Sequence, residues 1–195
     1  MIAETRYALG NLTRFDGRDS RRTFWFYVAA LVIANVVMGV IATVPFMASV
    51  AGTAASQVQN GGTPQDMVQA MMVDMASGMK TQLVVSAVLA AITFALFAAA
   101  FVRRLHDSGK TGWIALIPLM TTAYVQVFAF THVDDIIMAM QAAMAANDPQ
   151  QIADLESTLR GYSAVGWIGY LVVIVFGALQ GNPGPNRYGE APAAL

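Results

Sequence analysis

The fold class is decided by the stretch FWFYVAALVIANVVMGVIATVPFMA, residues 24–48, which contains no charged side chain. A helix that crosses the hydrocarbon core of a bilayer needs about 20 mainly apolar residues. This stretch is long enough to do so, and we predict that it forms the first membrane span.

Three further stretches have the same character, at about residues 83–102, 113–130 and 163–179. The whole chain of 195 residues is 56% hydrophobic and only 12% charged, whereas soluble domains carry about 25% charged residues. The composition therefore excludes an ordinary soluble domain. We predict an all-α fold, in which residues 1–195 form a single membrane domain built as a four-span transmembrane helical bundle.

The two longer loops between spans contain helical patterns. Residues 64–80 and 134–146 carry few helix breakers, Asn147-Asp148-Pro149 resembles a turn, and a polar helix is expected from there to about residue 160. These segments are too short and too polar to cross a membrane. We predict short amphipathic helices in the two outer loops, either extending the spans or lying at the outer surface.

The distribution of basic residues predicts the orientation, because Lys and Arg accumulate on the cytoplasmic side. Of the 11 Lys and Arg residues, only Lys80 and Arg160 fall in the two longer loops. The others flank the opposite span ends: Arg6, Arg14, Arg18, Arg21, Arg22, Arg103, Arg104, Lys110 and Arg187. We therefore expect the basic side of the membrane domain, and with it both termini, to lie in the cytoplasm.

Three polar motifs fall on this basic side. They are FDGRDSRR at residues 15–22, VRRLHDSGKTGW at residues 102–113 and GNPGPNRYGE at residues 181–190. Their order along the chain, with apolar spans between them, would bring all three to one face of a four-span bundle.

At these motifs the chain resembles the bacterial inner-membrane family called domain of unknown function 805. The matching patterns are F-x-G-R-x-S-R-x-x-F-W, R-R-L-H-D-x-G-K-[ST]-G-W and N-R-Y-G. Two departures are visible: Arg22-Thr23 replaces an expected charged pair, and the outer loops are longer than compact members need. The resemblance implies a small multi-span inner-membrane protein and no particular activity.

The motif residues are our candidates for a ligand site on the cytoplasmic face. Guanidinium groups bind phosphate oxygens through paired hydrogen bonds, which suits lipid headgroups. The candidate residues are Arg18, Arg22, Arg103, Arg104, His106, Asp107, Lys110, Trp113, Asn186, Arg187 and Tyr188. The alternative is that they only anchor the spans, with Trp113 in the interfacial aromatic belt.

Within the middle motif, Asp107 could pair with one of the arginines or accept a hydrogen bond from the His106 ring. Gly109 and Gly112 would permit a tight turn into the third span. The third motif could fold back under the bundle and cover the arginine-rich face, or it could be a free tail. We expect it to dock.

The adjacent His106 and Asp107 raise the possibility of acid–base catalysis by a lipid-modifying enzyme, but no nucleophile or metal site accompanies them. We therefore assign no catalytic residue and expect a non-enzymatic protein. A small transporter or channel subunit is a further alternative. The spans contain no Asp, Glu, Lys, Arg or His residue, which argues against an ion pathway, although polar residues such as Asn35 and Thr93 remain.

Methionines at every fourth position form a stripe on the predicted outer-loop helix: Met67, Met71, Met75 and Met79. Thioethers favour Cu(I), so the stripe is a remote candidate for a copper site. The simpler interpretation is an apolar stripe that packs on the bundle or dips into the lipid interface.

We expect no cofactor, no metal and no nucleic acid as a partner. The leading hypothesis is a membrane protein whose basic inner face binds anionic lipid headgroups or a partner protein, with a homo-oligomer as another possibility.

Overall fold

The computed structural model describes residues 1–146 and 149–192, and regular structure in this part of the chain is helical. The helices are α1 (Ile2–Gly10), α2 (Arg21–Gln59), α3 (Pro64–Asp107), α4 (Leu116–Ala146) and α5 (Pro149–Ala178), with a 3₁₀ turn at Gly112–Ala115 before α4. The described residues form no β-strand, and only an isolated bridge joins Asn186 to Gly189. The predicted all-α class is confirmed.

Four of these helices are long and apolar enough to cross a membrane. They overlap all four predicted spans. Their outer faces carry large apolar side chains, such as Val36, Val40 and Val44, each about 60% exposed. Inside a helix every backbone hydrogen bond is made within the segment, which is what a lipid environment requires. The chain is a multi-pass membrane protein.

The outer-loop segments extend the spans, which is one of the two predicted alternatives, and short helices distinct from the spans are not confirmed. Residues 64–80 are the first turns of α3, residues 134–146 are the last turns of α4, and residues from 149 onward begin α5. A single helix-interior glycine costs only about 1 kcal/mol, so Gly78 does not end a helix as long as α3. Of the predicted turn, Asn147 and Asp148 lie outside the described residues.

The chain divides into two compact units. Unit 1 contains Met1–Val36, Leu89–Val125 and Ser163–Leu195, and unit 2 contains Val37–Val88 and Gln126–Tyr162. All three polar motifs belong to unit 1. Its core is an apolar cluster around Phe24, Phe101 and Leu105, each fully buried.

Unit 2 contains polar contacts between its helices. The Asp74 carboxylate accepts hydrogen bonds from the hydroxyls of Ser49 and Thr53, at 3.0 and 2.5 Å. Lys80 and Asp134 form an exposed ion pair at 2.6 Å. These contacts join α2 to α3 and α3 to α4 within the unit.

Candidate functional site

The segment between α1 and α2 carries the first motif and is fixed by its backbone. Gly17 has φ of +84°, a left-handed conformation that glycine adopts at little cost. The N–H of Asp19 donates to the carbonyl of Arg103 at 3.2 Å. The hydroxyl of Ser20 accepts from the N–H of Thr23 at 3.2 Å, which caps the start of α2.

The second motif ends α3 with a tight glycine turn. Gly109 has φ of +71°, and its N–H donates to the carbonyl of His106 at 3.0 Å. The N–H of Lys110 donates to the carbonyl of Leu105 at 2.9 Å. This pair of bonds is the Schellman arrangement, which satisfies the free carbonyls at a helix end. The predicted turn at Gly109 is confirmed.

Asp107, in the last turn of α3, pairs with two arginines. Its Oδ1 accepts from Nε and Nη2 of Arg18, at 3.1 and 2.9 Å. Its Oδ2 accepts from Nη1 of Arg104 at 2.6 Å. All three side chains are at most 5% exposed. Of the two alternatives for Asp107, the arginine pair is therefore confirmed.

Arg103 points to a different partner. Its Nε lies 3.0 Å from Oδ2 of Asp19, and both side chains are buried. Its Nη1 donates to the carbonyls of Asn11 and Arg14, at 2.8 and 2.5 Å. The guanidinium also lies 5.9 Å from the centre of the Tyr7 ring. Arg103 therefore ties the end of α3 to the segment that follows α1.

Arg104 closes the end of α5. Its Nε donates to the carbonyl of Gly177 at 3.1 Å, and its Nη2 donates to the carbonyl of Leu179. The indole N–H of Trp25 also donates to the Gly177 carbonyl, at 3.1 Å. The last carbonyls of a helix lack partners within the helix and carry partial negative charge. A buried cation at this point is therefore stabilised by both hydrogen bonding and the helix dipole.

Arg18 binds the third motif through backbone carbonyls. Its Nη1 donates to Gly184 at 2.7 Å and Gly189 at 3.3 Å, and its Nη2 donates to Asn182 at 2.6 Å. The N–H of Asn182 in turn donates to the carbonyl of Asp107 at 2.8 Å. One guanidinium therefore gathers three carbonyls of the tail around the end of α3.

The rest of the third motif packs on His106. The side-chain amide of Asn186 donates to the His106 carbonyl at 2.9 Å. The rings of His106 and Tyr188 stack in parallel, with centroids 3.7 Å apart. The prediction that this tail docks against the arginine-rich motifs is confirmed.

Burial sets the electrostatics of the cluster. It raises the pKa of the Asp19 carboxyl, against the opposing influence of the Arg103 guanidinium and the nearby Tyr7 hydroxyl. Buried charges cost several kcal/mol each in desolvation unless they are paired and hydrogen-bonded. Here three arginines share two aspartates and seven backbone carbonyls. The arrangement stabilises guanidinium groups inside the protein.

The candidate ligand-binding residues therefore fall into two groups. Arg18, Arg103, Arg104 and Asp107 are buried together with His106, Asn186 and Tyr188 packed beside them. Arg22, Lys110, Trp113 and Arg187 are exposed, with the Trp113 side chain 77% exposed. The buried arginines already have partners within the chain, and the exposed residues are available at the surface.

An open groove of about 600 Å³ lies beside the cluster in unit 1. It is lined by Arg21, Arg22, Trp25, Phe26, Ala29 and Ala178. The Arg22 guanidinium lies 5.6 Å from the centre of the Phe26 ring. The groove thus joins exposed positive charge to an apolar wall at the point where α2 begins.

The remaining chemical candidates are separate from this site. His132 belongs to unit 2, and no group of three His, Asp or Glu residues that could hold a metal occurs in the described part of the chain. Met67, Met71, Met75 and Met79 lie along α3, and Met75 is 37% exposed. A Cu(I) site there stays a prediction.

Several contributors to the site were not among the predicted site residues. Asp19, the partner of Arg103, stands next to Arg18 in the first motif, which was the available signal. The carbonyls of Gly177 and Leu179 carry no signal in the sequence, because any residue presents the same backbone oxygen. Gly181 leaves room for Asp107, since an added Cβ would lie 2.2 Å from its Oδ2.

Comparison with known proteins supports the resemblance. A family model described as "Protein of unknown function (DUF805)" matches residues 12–190, which include all three motifs. No curated protein and no solved structure matches the chain. The family match covers nearly the whole chain, and the motifs that it spans are those that build the buried cluster. The chain belongs to the DUF805 family.

Proposed function

We propose that this protein is a non-enzymatic protein of the bacterial inner membrane that binds anionic phospholipid headgroups at its basic, cytoplasmic face. The observation that carries the proposal is the groove that Arg21 and Arg22 line. It combines the two features that an acidic phospholipid needs, namely exposed guanidinium groups and an adjoining apolar wall.

The position of the two arginines suits a headgroup. Both stand in the first turn of α2, directly before the apolar stretch that begins at Phe24. This is the level at which headgroup phosphates lie beside a span. Arg22 is 68% exposed, and its ion pair with Glu4 is long, at 3.6 Å. The Arg21 side chain has no ion pair among the described residues.

The apolar part of the groove suits the start of an acyl chain. Phe26 and Ala29 follow on α2, and Ala178 contributes from the end of α5. Trp25 is held by its hydrogen bond to Gly177, so this wall is fixed before a ligand binds. A preformed wall reduces the entropy lost on binding.

The buried arginines support the proposal indirectly. Arg18, Arg103 and Arg104 hold the first motif, the end of α3 and the tail together, and Trp25 and Arg104 donate to the same Gly177 carbonyl. The cluster therefore fixes the ends of α2 and α5 that form the groove. In this proposal the buried motif residues position the groove, and the exposed arginines contact the lipid.

The test is native mass spectrometry of the purified protein with equal amounts of phosphatidylglycerol and phosphatidylcholine. An exposed arginine near an anionic membrane surface contributes about 1 kcal/mol. We expect the double variant Arg21→Ala/Arg22→Ala to lose about 30-fold in its preference for phosphatidylglycerol, the factor that about 2 kcal/mol represents.

The matched control is Arg6→Ala/Arg14→Ala, which removes two exposed arginines from the same flank without changing the groove. The control should keep the lipid preference of the wild type. An equal loss in both variants would mean nonspecific attraction to net charge. No preference in the wild type would contradict the proposal and point to a partner protein at this face.

A further inference from the structure

Unit 1 contains a second, deeper site that the groove does not explain. A partly open cavity of about 450 Å³ lies among α2, α3, α4 and α5. This volume falls within the range of about 300–1,000 Å³ that is usual for ligand pockets. The residues that line the cavity lie within the predicted membrane spans, so the acyl chains of the bilayer surround this part of the protein.

The lining of the cavity is apolar apart from a few hydroxyl and amide groups. Its central polar pair is satisfied internally, because the Thr93 hydroxyl donates to Asn35 Oδ1 at 3.0 Å and the Asn35 amide donates to the Leu31 carbonyl at 3.0 Å. The remaining walls include Phe94, Phe97 and Val173. The lining contains no charged side chain, so the cavity suits a hydrocarbon group rather than an ion or a polar metabolite.

One face of α2 connects the groove to this cavity. Residues at i, i+4, i+7 and i+11 lie on the same side of a helix, and Trp25, Ala29, Val32 and Val36 have this spacing. The first two line the groove and the last two line the cavity.

The distance along this face fits the depth of one leaflet. At 1.5 Å per residue, the rise from residue 25 to residue 36 is about 16 Å. Half of a hydrocarbon core about 30 Å thick is about 15 Å. A lipid held by its headgroup in the groove would therefore bring the end of an acyl chain to the level of Asn35 and Val36.

We propose that the cavity is the binding site for one acyl chain of the phospholipid whose headgroup contacts Arg21 and Arg22. The choice of headgroup rests on the proposed function above, whereas the hydrocarbon ligand follows from the cavity itself. The acyl chain enters the cavity from its open side at Val32 and Val36, which are both exposed, and lies against the wall formed by α3.

The test uses phosphatidylglycerol with a photoreactive diazirine near the end of one acyl chain, incorporated into nanodiscs with the full-length protein. Residues labelled after irradiation are mapped by peptide mass spectrometry. We expect labelling at Asn35, Val36 and Tyr170, which line the cavity, above that at Val40 and Ile41, which do not line it. A pattern with no excess at the cavity residues would overturn the inference.

A matched pair of variants tests whether the labelled chain occupies the cavity. Ala90 lines the cavity, while its neighbour Ala91 is exposed and does not line it. We expect Ala90→Leu to reduce cavity labelling about tenfold, because the larger side chain displaces methylene groups whose burial drives binding. Ala91→Leu should leave the labelling at the wild-type level. Equal labelling in both variants would contradict occupancy of the cavity.

A diazirine-labelled phosphatidylcholine and a labelled free fatty acid distinguish this inference from the headgroup proposal. If phosphatidylcholine labels the cavity as strongly as phosphatidylglycerol, with the same loss in Ala90→Leu, the acyl-chain site stands and the headgroup proposal fails. If native mass spectra show the headgroup preference but the cavity is unlabelled, the headgroup proposal stands and the acyl-chain site fails. Labelling by the fatty acid alone would contradict a phospholipid occupant.

Discussion

At the scale of single residues, Asp107 has the central role in unit 1. One carboxylate accepts from Arg18 and Arg104, and its backbone carbonyl accepts from the tail. Removing one partner of a buried ion pair leaves the other charge unneutralised in a medium of low polarity. The two arginines would then have only uncharged oxygen acceptors.

We predict that Asp107→Asn destabilises the protein by about 3 kcal/mol or more, the usual cost of breaking a buried pair. The measurement is thermal unfolding in detergent. Asp16→Asn is the control, because Asp16 is 80% exposed and its ion pair with Arg14 is long, at 4.0 Å. Exposed pairs of this kind contribute about 0–1 kcal/mol. Equal, small effects in both variants would show that the cluster does not stabilise the fold.

At the scale of elements, the docking of the tail depends on the absence of a side chain at Gly181. A Cβ at Gly181 would lie 2.2 Å from Oδ2 of Asp107, whereas a Cβ at Gly184 would meet no atom within 4 Å. Both glycines lack the left-handed backbone that Gly109 and Gly189 adopt. The two alanine variants therefore differ mainly in whether the added methyl group has room.

We predict that Gly181→Ala displaces the tail and Gly184→Ala does not. Hydrogen–deuterium exchange at residues 182–189 is the measurement. In Gly181→Ala the N–H of Asn182 should lose its bond to Asp107 and exchange faster, along with the N–H of Tyr188, which now donates to Asn186. Slow exchange in both variants would mean that the tail tolerates a shift without undocking.

The long helices give a second lesson at this scale. The polar loop segments were predicted either to extend the spans or to lie at the outer surface, and α3 shows the first arrangement by running unbroken from Pro64 to Asp107. Polarity determines which solvent a helical segment faces, whereas only a backbone breaker ends the helix. Gly78 instead accommodates the ring of Phe46, since a Cβ there would lie 2.3 Å from that ring.

At the scale of the whole molecule, the orientation in the membrane can be tested with single introduced cysteines, because the sequence contains none. We predict that single cysteines at Thr13 and Lys110 are cytoplasmic, and that cysteines at Asn60 and Ser157 face the other side. All four positions are exposed.

Labelling of intact cells with a maleimide that crosses the outer but not the inner membrane measures this directly. Asn60→Cys and Ser157→Cys should react in intact cells, and Thr13→Cys and Lys110→Cys only after lysis. The reverse pattern would contradict the distribution of basic residues as the basis of orientation. Reaction of Thr13→Cys and Lys110→Cys on opposite sides would contradict an even number of spans between them.

The sequence by itself determined the helical class and the four spans, because hydrocarbon solvent demands long uncharged helices and composition reports this directly. It also identified the three motifs that meet, including Arg18, Asp107 and Tyr188. The tertiary structure alone decided what these residues do. It buries Arg18, Arg103 and Arg104 against carbonyls from distant parts of the chain, and leaves Arg21 and Arg22 at the surface. The sequence next to a span does not distinguish a buried arginine from an exposed one, because burial depends on which backbone oxygens the fold brings within reach of the guanidinium group.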